Sequence, residues 1–311
     1  MSGRFTRRGE HATRPGRVVI AFPLFAVALI SASAAKPPVL PGKIVFTKDL
    51  PLRTGGSHRA LYLLDPNTDR TRRLSAYPGD ESSPMFSPDG RRILFSRSAV
   101  KGSAGGSVWI YDVPTRRFTR VLEGEESFIL LGWVKDGRFF FSIKINCHPL
   151  GLYVCDPKTK SRENVPVAPE MPGYGASVSP DSKELWYIYE PPIETTWQEI
   201  RVLNVATRRT RSFGKGTAPT LSANGQYLTY ISQNKMVMLR SLATGKEVPM
   251  GKADDTGSPT FSPGGRYIAY LTGKAAKTSY GIFWQQVKIV DTNLRPIKVI
   301  NLRCKTQTIS W

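Results

Sequence analysis

A closed ring of six four-stranded antiparallel blades, a β-propeller, is the all-β fold class that the sequence predicts, and three observations predict it. Residues 83–95, SPMFSPDGRRILF, recur at 258–270 as SPTFSPGGRYIAY, with weaker copies at 131–141, 176–187 and 218–230. Each blade then carries a mainly apolar run closed by a small polar residue: LYLLD ending at Asp65, VWIYD at Asp112, LYVCD at Asp156, IRVLN at Asn204, VMLRS at Ser241 and VKIVD at Asp291. The first of these six units lacks its opening copy, and residues 307–311, QTISW, supply the missing half at the other end of the chain.

Each element follows from residue chemistry. Pro88-Asp89-Gly90 and Pro263-Gly264-Gly265 are turns: proline pre-sets φ, aspartate bonds back to the local backbone, and glycine accepts positive φ without a Cβ clash. The short β-favouring runs on either side make strands A and B of a hairpin. In the first blade strand B is 43–47 (KIVFT), strand C 61–65 and strand D 70–74. The other blades run over 83–122, 128–167, 175–213, 217–250 and 257–303. The strand C runs are continuous rather than alternating, which suits strands covered on both faces by neighbouring blades. The Asp, Asn or Ser that closes each run is expected to cap the turn into strand D. Individual copies drift: the third turn has no Ser-Pro, and the fourth has Ser182 in place of glycine.

Residues 1–35 read as a secretory signal peptide. Arg4, Arg7, Arg8, Arg14 and Arg17 form a basic head, 18–30 an apolar stretch short for a bilayer span, and Ala32-Ser33-Ala34 a cleavage site near Ala34. The expected location is periplasmic or secreted. Five arginines and one glutamate lie in that leader, so +16 of the formal +20 remains on residues 36–311, read as one propeller domain. Cys147, Cys155 and Cys304 are too few for a disulfide framework; a bridge between Cys147 and Cys155 across one hairpin and two buried thiols are both open.

SPMFSPDGRRILF followed by VWIYD and TRRFTRVL resembles the repeat of TolB-like six-bladed propellers, a WD40-like (PD40) repeat family, and the resemblance covers nearly all of 36–311. It implies the fold, and as a class it implies docking onto partners in the bacterial envelope. The family's namesake carries an N-terminal α/β domain, whereas here the repeats follow the leader directly.

The candidate site lies in the loops. Acidic residues, among them Glu81, Glu126 and Asp255, fall between strand D and the next strand A, around one mouth of the central channel. Clefts lined by one sign of charge focus the field, so this mouth would take a cation or a basic peptide; ordinary solvated loop charge is the competing reading. Trp197 and Tyr280, in the long connections between strands B and C, are aromatic anchors for a partner, and His58 and His148 stand in the same class of connection on the first and third blades. The sequence contains no HExxH, no GxSxG and no metal-ligand spacing of Cys and His, so no catalytic residue, metal or cofactor is assigned. Basic residues gather in strand D: Arg70, Arg72 and Arg73; Arg116, Arg117 and Arg120; Lys158, Lys160 and Arg162; Arg208, Arg209 and Arg211. On an outer edge they block pairing with other chains; they would also attract an anionic surface weakly, with nucleic acid disfavoured by the leader and by the lack of aromatics interleaved with the charges. The resulting expectation is a non-catalytic binding scaffold for a protein or peptide. A hydrolase or lyase acting on a small molecule or oligosaccharide at the channel mouth is the alternative.

Overall fold

The structure, a computed structural model, describes residues 38–52, 56–98, 105–145, 148–166, 175–189, 198–253, 259–275, 283–302, 304, 306 and 308–311, with only the backbone at 144–145, 148–150, 274–275 and 283–284. Strands β1 (Ile44–Pro51), β2 (Ser57–Leu64) and β3 (Thr71–Arg73) belong to blade 1. Blade 2 is β4 (Glu81–Phe86), β5 (Arg92–Ser98), β6 (Gly106–Asp112) and β7 (Arg117–Gly124); blade 3 is β8 (Ser127–Trp133), β9 (Phe139–Ile145), β10 (His148–Cys155) and β11 (Arg162–Val165). Blade 4 comprises β12 (Ser177–Val178), β13 (Glu184–Tyr189), β14 (Glu199–Asn204) and β15 (Thr210–Lys215), and blade 5 β16 (Thr217–Leu221), β17 (Tyr227–Ile231), β18 (Met236–Ser241) and β19 (Glu247–Lys252). Blade 6 contains β20 (Thr260–Phe261), β21 (Tyr267–Ala275), β22 (Phe283–Asp291) and β23 (Pro296–Asn301), after which β24 (Ile309–Ser310) returns to blade 1.

Every blade is a four-stranded antiparallel sheet, and blade 1 has the order β24-β1-β2-β3, with Ile309 opposite Phe46 and Ser310 opposite Val45. The innermost strands touch in sequence all the way round, β4 on β8, β8 on β12, β12 on β16, β16 on β20, β20 on β24 and β24 on β4. The ring is therefore closed by its two chain ends, as the half-repeat at 307–311 predicts.

The core is divided into six clusters, one per seam between blades. Val45, Leu61 and Leu63 meet Ile93, Phe95 and Tyr111 between blades 1 and 2, whereas Ile44, Phe46 and Leu64 meet Ala269, Val287 and Ile289 between blades 1 and 6. Adjacent residues of one strand thus point into different seams, and both are buried. This is why strands B and C need continuous apolar runs.

Turn chemistry repeats around one face of the ring. The Ser87 hydroxyl donates to Asp89 and accepts from the Arg92 N–H at 2.9 Å, and Gly90 takes φ +68°. Ser179 with Asp181, and Ser222 with Asn224, form the same figure. The caps expected after strand C are also present: Asp112 accepts from the Thr115 N–H, Asp156 from that of Lys158, Asn204 from Thr207 and Asp291 from Asn293 and Arg295. Strand A carries a bulge at Ser83-Pro84 and again at Ala218-Pro219, where Ser83 and Ala218 adopt φ near +51° and +52°. A proline cannot donate to the ladder, so a bulge is where a strand can hold one.

Several strand boundaries differ from the sequence expectation. Strands β10, β21 and β22 extend into segments expected as loops, at 148–150, 274–275 and 283–284. Cys155 is a free, fully buried thiol opposite Phe139 across its hairpin, and burial pushes its pKa up to about 11; Cys147 lies outside the described residues.

Candidate functional site

The face opposite the repeated turns holds the connections from strand D to A and from B to C, and its charged residues are organised around blades 1 and 2. Glu81, expected in a loop, opens β4 and its side chain is fully buried. One carboxylate oxygen accepts from Arg97 Nε at 3.1 Å, Arg97 Nη2 at 3.0 Å and Ser75 Oγ at 2.6 Å; the other accepts from the Leu61 N–H at 3.0 Å. The Arg97 guanidinium lies 4.3 Å from the ring centre of Trp109 and 4.6 Å from that of Tyr77, with Phe118 and Phe95 slightly further. A carboxylate desolvated this far is tolerable only because each oxygen is hydrogen-bonded and the charge is paired. Glu81 therefore ties blade 2 to blade 1 and offers no free charge to the channel mouth.

Asp80 repeats the tie nearer the surface, accepting from the Arg59 N–H at 2.7 Å and from its guanidinium at 3.0 Å. Burial works to raise the Asp80 pKa, but these two hydrogen bonds and the Arg59 charge outweigh it and hold the carboxyl below the usual range. A related arrangement stands in blade 4. Arg201 donates from Nε to Glu199 at 2.9 Å and lies 3.6 Å from the Tyr189 ring centre, while Ser212 also donates to Glu199. Beside it the buried Tyr187 hydroxyl has no hydrogen-bond partner among the described residues, and burial, then the charge of Glu199, pushes its pKa up to about 12.

The remaining predicted residues are scattered. Glu126 is half-buried between β7 and β8, with its carboxylate against Gly124. His58 lies on β2 opposite Leu50, and neither ring nitrogen has a hydrogen-bond partner among the described residues. His148 opens β10 opposite Ile145, two blades away. Asp255, Trp197 and Tyr280 lie outside the described residues. Pro88, Asp89, Gly90, Pro263, Gly264 and Gly265 all sit in the turns of the other face. Among the described residues no three His, Cys, Asp or Glu side chains stand close enough to hold one metal ion.

Sequence reasoning missed the Glu81–Arg97 pair because its partners are sixteen residues apart and local charge reads as solvated. The signal that could have found it is Arg97 itself, a charge inside the otherwise apolar, β-favouring run of strand B. It also missed an open cavity of about 460 Å³ on the turn face between blades 3 and 4, lined by Val134, Phe140, Val154 and Val205 with Lys135 and Arg138.

No family model matches the chain. It is similar to the Tol-Pal system protein TolB of Francisella tularensis subsp. mediasiatica (strain FSC147), with 26% identity over 186 residues, 58% of this chain and 42% of that protein. TolB of F. tularensis subsp. holarctica (strain LVS) matches at 25% over the same length. The chain thus spans less than half the length of the curated relatives it matches. Among solved structures, TolB from Acinetobacter baumannii superposes with a TM-score of 0.71 at 16% identity, covering 88% of this chain and 67% of that one. A chain of a nidogen/laminin complex superposes at 0.61 with 10% identity, covering 86% and 98%. These likenesses show a TolB-like six-bladed propeller.

Proposed function

We propose that this TolB-like propeller is a non-catalytic binding scaffold of the cell envelope, taking a protein or peptide on the face that carries the B–C and D–A connections. The observation that carries the reading is the contrast between the two faces. One is made of turns whose chemistry repeats blade by blade; on the other, the B–C connections range from two residues between β9 and β10 to nine between β13 and β14. Loops free to differ on a rigid ring are where binding specificity can be written without disturbing the fold. The similarity to Tol-Pal system proteins supports an envelope partner, and the leader-like residues 1–35 support a periplasmic or secreted location.

Glu126, Asp255, Trp197 and Tyr280 are the contact candidates. Glu81 leaves this set, because a fully buried carboxylate with four donors has nothing left to offer a partner. Photo-crosslinkers placed at Glu126 and Trp197 in cells should trap one identifiable protein, which then binds the purified propeller and loses affinity for the Glu126→Gln/Trp197→Ala variant. N-terminal sequencing of the recovered chain should begin near Ala34. Equal trapping from a turn-face position such as Asp89, or turnover of a lactone or oligosaccharide by the purified protein, would overturn the scaffold reading.

A further inference from the structure

The cations that the sequence places on strand D edges are not distributed as edge protection requires. Arg116, Lys158, Lys160, Arg208 and Arg209 stand in the turns between strands C and D, and Arg117 opens β7, all exposed and none with an ion-pair partner among the described residues. Edge protection would be needed on every blade. Instead, the A–B and C–D turns of blades 2, 3 and 4 hold nine cations against four carboxylates, a net of +5, whereas the same turns of blades 1, 5 and 6, with Lys43 just ahead of β1, hold five against two, a net of +3. Carboxylates are paired in both groups, Asp65 with Lys43 and Asp69 with Lys298 in the second, Asp136 with Arg138 and Asp181 with Lys183 in the first.

Backbone conformation adds an independent observation. The turn position four residues after the strand-closing polar residue has positive φ in five blades: Arg116 at 59°, Lys160 at 60° and Arg208 at 60° in blades 2, 3 and 4, against Asp69 at 58° in blade 1 and Gly245 at 73° in blade 5. Glycine is the residue that region suits, and long side chains are disfavoured there. Three neighbouring blades carry a long cation where the fold itself would favour glycine.

We infer that the turn face of blades 2–4 docks on a bilayer surface bearing anionic phospholipid headgroups. Arg116, Lys160 and Arg208 occupy equivalent positions of consecutive blades, so they present a shallow array of charge at one height rather than a groove. The six turns of this sector contain no aromatic residue on which bases could stack, which separates the array from single-strand nucleic-acid platforms. With no apolar side chain at the tips to insert, attachment is electrostatic, additive in the cations and screened by salt. The loop face stays free for the partner proposed above, so the two attachments are compatible and fail independently.

Residues 38–311, which close the ring by themselves, are the material for the test. They should co-sediment with vesicles of phosphatidylcholine and phosphatidylglycerol (3:1) at low salt, not with phosphatidylcholine alone, and release as salt rises. Arg116→Gly/Lys160→Gly/Arg208→Gly should bind on the order of 100-fold more weakly, from the roughly fivefold contribution of each cation near such a surface. Because glycine suits those φ angles, this variant should melt no lower than the parent, so lost binding cannot be lost folding. Arg72→Gln/Arg73→Gln/Lys246→Gln removes the same charge from blades 1 and 5 and should stay within about twofold to threefold of the parent. Equal losses in the two variants, no preference for phosphatidylglycerol, or tighter binding of a DNA duplex or heparin than of the vesicles would each overturn the assignment.

Discussion

Replacing Glu81 by Gln keeps its shape and removes its charge. One oxygen becomes an NH2, which must face either the Leu61 N–H or the Arg97 guanidinium and Ser75 hydroxyl, so at least one buried donor loses its acceptor. Breaking a buried ion pair from one side costs about 3–5 kcal/mol, and because Gln keeps one acceptor, a loss of about 3 kcal/mol is expected. With an unfolding entropy of about 2.1 cal/mol/K per residue, that corresponds to a fall of roughly 5 °C in Tm for a propeller of this size. Arg97→Met should cost a similar amount, since it strands Glu81 while retaining contact with Trp109 and Tyr77. The double variant should be better than the sum of the singles by about 2 kcal/mol or more, because the second change removes a charge that the first left unpaired. Thermal and urea unfolding of residues 38–311 measure all four corners of this cycle. A Glu81→Gln protein melting within about 1 °C of the parent, or strict additivity in the double variant, would refute the claim that Glu81 and Arg97 form a coupled buried pair at the edge of blade 2 against blade 1.

Three further outcomes are expected. Trp311→Ala should cost about 3–5 kcal/mol in urea unfolding, since Trp311 is buried, stacks on Tyr267, and donates from its indole N–H to Pro41 O at 2.6 Å; a loss under about 1 kcal/mol would mean that the chain ends do not close the ring. Gly245→Ala should destabilise by about 1 kcal/mol because its φ of +73° favours glycine, while Lys160→Gly at the equivalent turn should be neutral to stabilising; opposite signs in unfolding midpoints would contradict the turn assignment. Asp112 and Asp181 are held below the ordinary carboxylate range, first by the Thr115 and Ser179 hydroxyls and then by backbone N–H groups. A depressed folded pKa contributes stability above the unfolded value of about 4 that is lost as pH falls through the folded one. Melting should thus be flat from neutral pH to about 5 and decline below about 4, and Asp112→Asn should reduce that decline; a steeper acid loss in the variant would reverse the sign.

The number of blades, their boundaries and their closure were readable in residues 83–95 and 307–311 because they depend on local chemistry: a turn needs Ser, Pro, Asp and Gly in one short stretch, and a strand covered on both faces needs an unbroken apolar run. The caps at Asp112, Asp156 and Asn204 were readable for the same reason, each being satisfied within two or three residues. What a charge does was not. Glu81 and Glu126 look alike in the chain, yet one is enclosed by Arg97, Ser75 and the Leu61 N–H, and the other is half exposed beside Gly124.

The sequence by itself determined a six-bladed ring, where its turns fall and that its two ends share a sheet. Only the tertiary structure decided that Asp80 and Glu81 fasten one blade to the next, and that the unpaired cations collect on the turns of three neighbouring blades. The reason is physical: strand and turn formation are short-range in sequence, whereas desolvation and pairing of a charge depend on side chains that meet only when separate blades pack.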